Sequence, residues 1–425
     1  MPKSPPGGRD APAESSGAPA PAPPAQVVRP PAPPVPPGFD DVRIEELLSR
    51  RTLKWGRHGA GVLGAWIAEM DFPLAPAVRR ALHDAVERGE TGYPLRDIRT
   101  GLPVACSDWL GRTFGWPVPA EWIFLLPDVL AGIGLGIDFY SRPGSAVVVP
   151  TPAYPPFFEV AAAQGRQVVE VPLTSDSGRP ALDLPAIGAA LAAGAGTVLL
   201  CNPHNPSGRV LTSGELLALS RTVAEAGARV IADEIHAPLT YAGHEHVPYA
   251  SVSPEAAAHT VTLTSASKGW NLAGLKCAQA VLSNEGDVAR WRTVPFHRRH
   301  GASTLGIAAS IAAYTEGDPW RRELVGYLDA NRRFLAGVLD RELPAVGHRS
   351  PEATYLAWLD CRGLPLDDPA EHLLRHGRIA LSDGRVFGAA GRGFVRLNFA
   401  TSRPILERVV TALVDTLGAV PRRDP

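Results

Sequence analysis

The sequence predicts an α/β protein in which a mostly parallel sheet carries helices on both faces and is followed by a smaller C-terminal α+β domain. From residue 39 to about 300, short runs rich in Val, Ile and Leu, bounded by Pro, Gly, Asn or Asp, alternate with longer amphipathic stretches. Apolar strands separated by helices are the signature of βαβ units, whose strands are buried on both faces. Past residue 300 the alternation stops, and a long helical region leads to two short strands and a closing helix. The length, 425 residues, suits two or three domains with a substantial core.

Taken in order, the strands are "EWIFLLP", "AVVVP", "QVVEVP", "TVLLCNP", "RVIAD" and "TVTLTS", with "LKCAQAVLSN" adding one more. Helical patterns fall between them at Val129 to Tyr140, Leu184 to Ala193 and Ser213 to Glu225. The second part reads as helices over Ser303 to Tyr314 and Pro319 to Glu342, strands "TYLAWLD" and "FVRLNFA", and a last helix from Pro404 to Leu417. Fourteen of the 43 prolines lie in the first 37 residues, and that tract has too little apolar surface to offset its ordering entropy. The expected organisation is therefore a Pro- and Ala-rich tail (1–38), an N-terminal segment packing with the small domain (39–89), a large ligand-binding domain (90–300), and linking helices with the small domain (301–425).

Composition narrows the class of function. Forty-two basic residues against 43 acidic ones leave a net charge of -1, which argues against nucleic acid or anionic membrane as a partner. No run approaches the ~18 apolar residues of a membrane span, and the N-terminus lacks a basic-then-apolar leader pattern. Four scattered cysteines without paired spacing suit free, buried thiols in a reducing cytoplasm. A small molecule is the expected partner.

In a parallel sheet, ligands bind beyond the carboxyl ends of the strands. There "TVLLCNP" runs into "HNPSG", "RVIA" ends in "DEIH" and "TVTLT" ends in "SASK", so Asn205, Asp233 with His236, and Ser265 with Lys268 should share one edge. Burial lowers a lysine pKa and makes the amine a usable nucleophile and base. Ser265 and Ser267 offer hydroxyls beside it, and the helix opening around Asp128 offers the free amides of Val129 and Leu130 to an anion. The glycines at 132, 134 and 136 fall within that helix instead of before it, which weakens a dinucleotide-loop reading. Asp233 can pair with a cationic ring nitrogen, and Asn205 can donate to a phenolate oxygen. Arg396, alone among apolar residues, wants a planar anion such as a substrate carboxylate or, alternatively, a structural ion-pair partner. His236, His244 and His246 make a poor metal set, with no fourth ligand, so no metal is expected. Together the groups suit pyridoxal 5'-phosphate and an α-amino acid.

The motifs "WIAEMDFP", "CNPHNPSGRV", "ADEIHAPL" and "SASKGWNLAGLK" carry a resemblance to fold-type I pyridoxal-phosphate enzymes over nearly all of residues 39–420. Within them the chain resembles the MalY/PatB-type carbon-sulfur lyases, the cystathionine beta-lyase group. The resemblance implies that Lys268 joins the cofactor covalently and removes the substrate Cα proton, Asp233 keeps the ring nitrogen protonated, Asn205 contacts the ring hydroxyl and Ser265 binds phosphate. It also implies that Tyr154 stacks on the ring, that Arg396 binds the substrate carboxylate, and that Tyr93 reaches the neighbouring subunit's phosphate in a homodimer. His236 stands where many relatives carry a tyrosine, and Lys276 where many aminotransferases place a phosphate-binding arginine. The implied reaction releases a thiol, pyruvate and ammonia from L-cystathionine or a related cysteine conjugate. An aminotransferase on the same residues is the alternative, and a non-catalytic regulatory protein is a third reading.

Overall fold

The computed structural model describes residues 38–421 apart from 177. The expected Pro-rich tail, except for Gly38, lies outside the described residues. Among those described, strands β1 (Ile123–Leu126), β2 (Val147–Thr151), β3 (Val168–Pro172), β4 (Thr197–Cys201), β5 (Arg229–Asp233), β6 (Thr260–Thr264) and β7 (Ala278–Leu282) form one seven-stranded sheet in the order β1-β7-β6-β5-β4-β2-β3. Its pairs are parallel except at β7, which runs antiparallel to both β1 and β6.

The helices that matter to the site are α1 (Pro76–Glu87), α2 (Leu102–Phe114), α3 (Val129–Tyr140), α4 (Leu184–Ala192), α5 (Ser213–Glu225), α6 (Thr304–Glu316), α7 (Asp318–Glu342), α8 (Pro369–His376) and α9 (Arg403–Gly418). Strand alternation sorts the sheet residues between them. Val147, Val149, Leu199, Ile231 and Leu263 cluster with α3, whereas Val148, Val198, Leu200, Val230 and Ala232 cluster with α4 and α5 on the opposite face. Each of the buried Val, Leu and Ile side chains contributes roughly 1.5–3 kcal/mol of apolar burial, which fixes the register of these strands. Local signals place the helix starts: Asp128 caps α3 through the Ala131 amide, and Thr212 with Glu215 forms a capping box on α5.

Gly132 and Gly136 explain why α3 lies so close to the sheet. A Cβ on Gly132 would sit 2.6 Å from Leu263 Cδ2, and one on Gly136 would sit 2.7 Å from Ile231 Cδ1. The glycines therefore serve close helix packing, as their position inside the helical pattern implies.

A four-stranded antiparallel sheet of β8 (Gly347–His348), β9 (Leu356–Asp360), β10 (Ser382–Asp383) and β11 (Phe394–Asn398), in the order β8-β9-β11-β10, packs with α7, α8 and α9. The segment before α1 joins this part, since Leu63 and Gly64 pair in parallel with Ile379 and Ala380. A second link is the Asp71 amide, which donates to the Ala400 carbonyl at 3.0 Å, and the segment is braced within itself where Lys54 Nζ lies 2.9 Å from Asp71 Oδ2 and Trp55 Nε1 donates to Asp71 Oδ1 at 2.8 Å. No helix among the described residues is long and apolar enough to cross a membrane.

Candidate active site

Strands β4, β5 and β6 run parallel and in register, so their carboxyl ends place Asn205, Asp233 and Lys268 on one edge of the sheet. Lys268 lies within a one-turn helix, Ala266–Gly269, that Ser265 caps. Its Nζ donates to the Ala68 carbonyl at 2.7 Å, an oxygen that also accepts from the Tyr355 hydroxyl at 3.0 Å. Burial, seconded by the positive charge of Arg396, lowers the Lys268 pKa to about 8, against the pull of Asp233 and Glu69. Asp233 accepts from the Ile235 amide at 3.1 Å, and its burial raises its pKa to about 7 despite that bond and the nearby Lys268. Near neutral pH this pair thus holds an amine and a carboxyl that can each give or take a proton.

Arg396 sits in β11, with 5% of its surface exposed, and no carboxylate pairs with it among the described residues. Its Nη1 donates to Asn205 Oδ1 at 2.9 Å, its Nη2 donates to the Trp66 carbonyl at 2.9 Å and to Ser382 Oγ at 3.2 Å, and its guanidinium lies 4.8 Å from the Phe387 ring centre. Burial lowers its pKa to about 10, a cost that an incoming anion relieves. Of the two partners considered for this arginine, no structural ion pair is found among the described residues. The contact with Asn205 leaves the amide NH2 of that residue as its free donor. Arg396 lines a cleft of about 520 Å³ together with Tyr154, Trp66, Ile67 and Phe387. Tyr154 is mostly buried, and desolvation holds its hydroxyl above the usual phenol range.

The anion cup is built at the start of α3. The amides of Val129 and Leu130 precede the first intrahelical bond, which runs from Gly132 N to the Asp128 carbonyl. Lys276 is at this mouth, with Nζ 2.9 Å from Asp128 Oδ2 and its side chain 60% exposed. Ser265 is engaged inward: its hydroxyl donates to the Cys277 carbonyl at 2.6 Å and accepts from the Ser267 amide at 3.0 Å. To meet a phosphate it must exchange the first of these bonds.

His236 is buried beside Tyr355, their rings 6.2 Å apart and edge-on, and its Nδ1 has no partner. Burial, then the charges of Lys268 and Arg396, hold it well below the usual histidine range, so the ring is neutral. His246 is committed elsewhere, with Nε2 3.2 Å from Glu234 Oε2. Tyr93 is fully exposed and stands apart from the cluster in this chain.

Several contributors were invisible in the residue pattern. The segment 66–72 crosses the site as a strap, held through its backbone. Asn271 accepts from Met70 N and donates to the Met70 and Phe72 carbonyls at 3.0 and 3.2 Å, while Asn398 donates to the Ile67 and Glu69 carbonyls at 2.6 Å each. Asn271 adopts φ 60°, a left-handed conformation that asparagine tolerates better than most residues. "WIAEMDFP" stood out as a motif, but nothing in its side chains announces that its carbonyls receive Lys268 and Arg396.

Comparison with known proteins identifies the family. The family described as aminotransferase class I and II matches residues 67–413. Cystathionine beta-lyase of Corynebacterium glutamicum is 42% identical, over 88% of this chain and 99% of that protein. Cystathionine beta-lyase PatB of Bacillus subtilis is 34% identical, over 87% of this chain and 98% of that protein. A crystal structure from Corynebacterium diphtheriae, assigned as a PLP-dependent beta-cystathionase, superposes with a TM-score of 0.84 at 40% identity, covering 88% of this chain and 98% of that one. The chain belongs to the class I and II aminotransferase family, on the branch that includes PatB.

Proposed function

We propose that this protein is a pyridoxal 5'-phosphate-dependent carbon-sulfur β-lyase, acting on L-cystathionine or a related cysteine S-conjugate and releasing a thiol, pyruvate and ammonia. The observation that carries the reading is Lys268, a buried amine of pKa about 8 set between Asp233 and an arginine that has no acidic partner among the described residues. Relatives named cystathionine beta-lyase cover nearly the whole folded chain and support the reaction.

The residues present fit the cofactor. His236 Nδ1 and Arg396 Nε are buried without partners, the first amides of α3 are open, and Asp233 has a carboxyl raised by burial that an adjacent ring N–H would return to its ionised form. Pyridoxal 5'-phosphate, when bound, supplies an electron sink that makes the substrate Cα proton removable. The chain's own groups do the rest. Asp233 holds the ring nitrogen's proton, Asn205 donates to the ring hydroxyl, and Tyr154 covers the ring face. Val129, Leu130, Ser265 and Lys276 serve the phosphate, and neutral His236 fills the space beside the ring. Arg396 anchors the substrate carboxylate and thereby orients Cα toward Lys268. Lys268 Nζ takes the Cα proton, the Cβ–S bond breaks, and the thiolate leaves with the electron pair. The remaining three-carbon fragment is hydrolysed to pyruvate and ammonia.

A second copy completes the site in this reading, with its Tyr93 reaching the phosphate; Tyr93, Leu95, Ile98 and Phe296 are all exposed here. All four cysteines are buried and free, which accords with a cytoplasmic enzyme. The test is a product assay with L-cystathionine and no keto-acid acceptor, paired with borohydride reduction and peptide mapping. Thiol and pyruvate in equal amounts, and a pyridoxyl group fixed on Lys268, are expected. Turnover only when a keto acid is supplied would make the protein an aminotransferase instead.

A further inference from the structure

The cleft above Arg396 continues to a mouth whose charges are unevenly paired. On one side, the Arg57 guanidinium lies 5.0 Å from the centre of the Trp66 ring and His58 meets the same ring edge-on at 5.9 Å. No carboxylate pairs with Arg57 among the described residues. The indole is held by its own bond from Nε1 to the Lys54 carbonyl at 3.1 Å. On the other side, Asp368 and Asp383 both turn a carboxylate oxygen to one cation, Arg385, while Glu371 is paired with Arg375. Two acids sharing one arginine leave that side with a surplus negative charge. All of these residues except Lys54 and Arg375 line the same cleft as Arg396.

Trp66 joins the two ends of the cleft, since its carbonyl accepts from Arg396 and its ring underlies Arg57. A substrate anchored by its carboxylate at Arg396 and extended along Trp66 arrives at a spare cation on one side and spare negative charge on the other. That arrangement is complementary to a zwitterion.

We propose that the mouth is a recognition site for a second amino-acid head on the leaving thiol, with Arg57 and His58 taking its carboxylate and the Asp368/Asp383 pair taking its ammonium. This rests on the lyase reading above, in which L-cystathionine carries such a head on its leaving thiol, and it assigns the residues that select that substrate over simple alkyl conjugates. Arg57 acts here as a specificity residue, remote from the bonds that break. Its contact is the same before and during the reaction, so its loss falls on KM more than on kcat.

The test compares L-cystathionine with S-ethyl-L-cysteine, which has the same reacting atoms and no distal head, in the cofactor-loaded wild type and in Arg57→Ala, Arg57→Lys and Arg57→Glu. The ratio of kcat/KM for cystathionine over S-ethylcysteine should fall about tenfold in Arg57→Ala, from the loss of one charge-assisted contact. It should fall further in Arg57→Glu and only partly in Arg57→Lys, which keeps the charge without the fork. A variant that merely folds poorly lowers both rates and leaves the ratio where it was. An unchanged ratio in Arg57→Glu overturns the proposal while leaving the lyase reading intact. If neither conjugate yields thiol, the lyase reading fails, and calorimetric titration with the same two compounds still decides the mouth: equal affinities for them in wild type and Arg57→Glu overturn it.

Discussion

Replacing Lys268 with methionine should stabilise the cofactor-free protein at mildly acidic pH and lose that advantage in alkali. The lysine pKa falls from 10.5 in the unfolded chain to about 8 in the fold, mainly through burial. A base lowered in this way destabilises the fold fully below about pH 8, because there the folded state must bury a charge that the unfolded chain keeps in water. The penalty shrinks between pH 8 and 10.5 and is absent above, where neither state binds the proton. A shift of that size corresponds to about 3 kcal/mol; the residue is only partly buried, which reduces the penalty to roughly 2–3 kcal/mol. Methionine gives up the bond to the Ala68 carbonyl, worth about 1 kcal/mol, but that oxygen keeps its bond from Tyr355. Asp233 has a pKa near 7 and is mostly protonated at pH 6.5, so removing the ammonium strands no anion there. The net expectation is a gain of about 1–2 kcal/mol at pH 6.5 and about zero at pH 9.5. Urea unfolding of the cofactor-free wild type and of Lys268→Met at both pH values measures it. A variant less stable at pH 6.5, or a gap of equal size at both pH values, would refute the assignment of a strained, desolvated amine.

Three further outcomes follow from the contacts described. Arg396→Lys keeps a positive charge but loses the fork that reaches Asn205, Trp66 and Ser382, so KM for L-cystathionine should rise about 10- to 100-fold; steady-state kinetics showing an unchanged KM would remove this residue from carboxylate binding. Asp71→Ala leaves the buried Lys54 ammonium with only the Glu69 carbonyl, and thermal or urea melts should show a loss of about 3–5 kcal/mol, with Asp71→Asn losing less. Gly132→Ala forces a methyl group against Leu263 and Leu126, so stability should drop by about 1–3 kcal/mol and the affinity for added cofactor should weaken, as read by absorbance titration; full retention of both would mean that α3 can move away freely.

The large sheet was legible because its inner strands are short, rich in Val, Ile and Leu and bounded by turn residues, a pattern that leaves little choice of state. The boundaries of α3 and α5 coincide with the expected ones, and caps at Asp128 and Thr212 give the reason. The antiparallel direction of β7 was not legible, since apolar runs do not encode direction and "LKCAQAVLSN" reads the same either way. Within the site, Asn205, Asp233 and Lys268 could be placed together because strand ends in a parallel sheet share an edge. Arg396 comes from a different sheet, and only its isolation among apolar neighbours marked it. Trp66, Tyr355, Asn271 and Asn398 went unnoticed as contributors, because they act on or through main-chain oxygens that carry no residue-specific signal.

The way the 66–72 strap is moored bears on how such an enzyme can diversify. Lys268, Tyr355, Asn271, Asn398 and Arg396 all grip peptide groups, while Met70, Asp71 and Phe72 are buried, so the segment is held by its backbone and its far end more than by the side chains it turns to the cleft. Trp66 and Ile67, which face the cleft, are free to be exchanged without unseating the reactive amine or the carboxylate anchor. Drift at those two positions re-lines the wall met by the departing thiol while the bond-breaking apparatus stays fixed, giving natural variation a route from one conjugate to another that does not pass through an inactive ancestor.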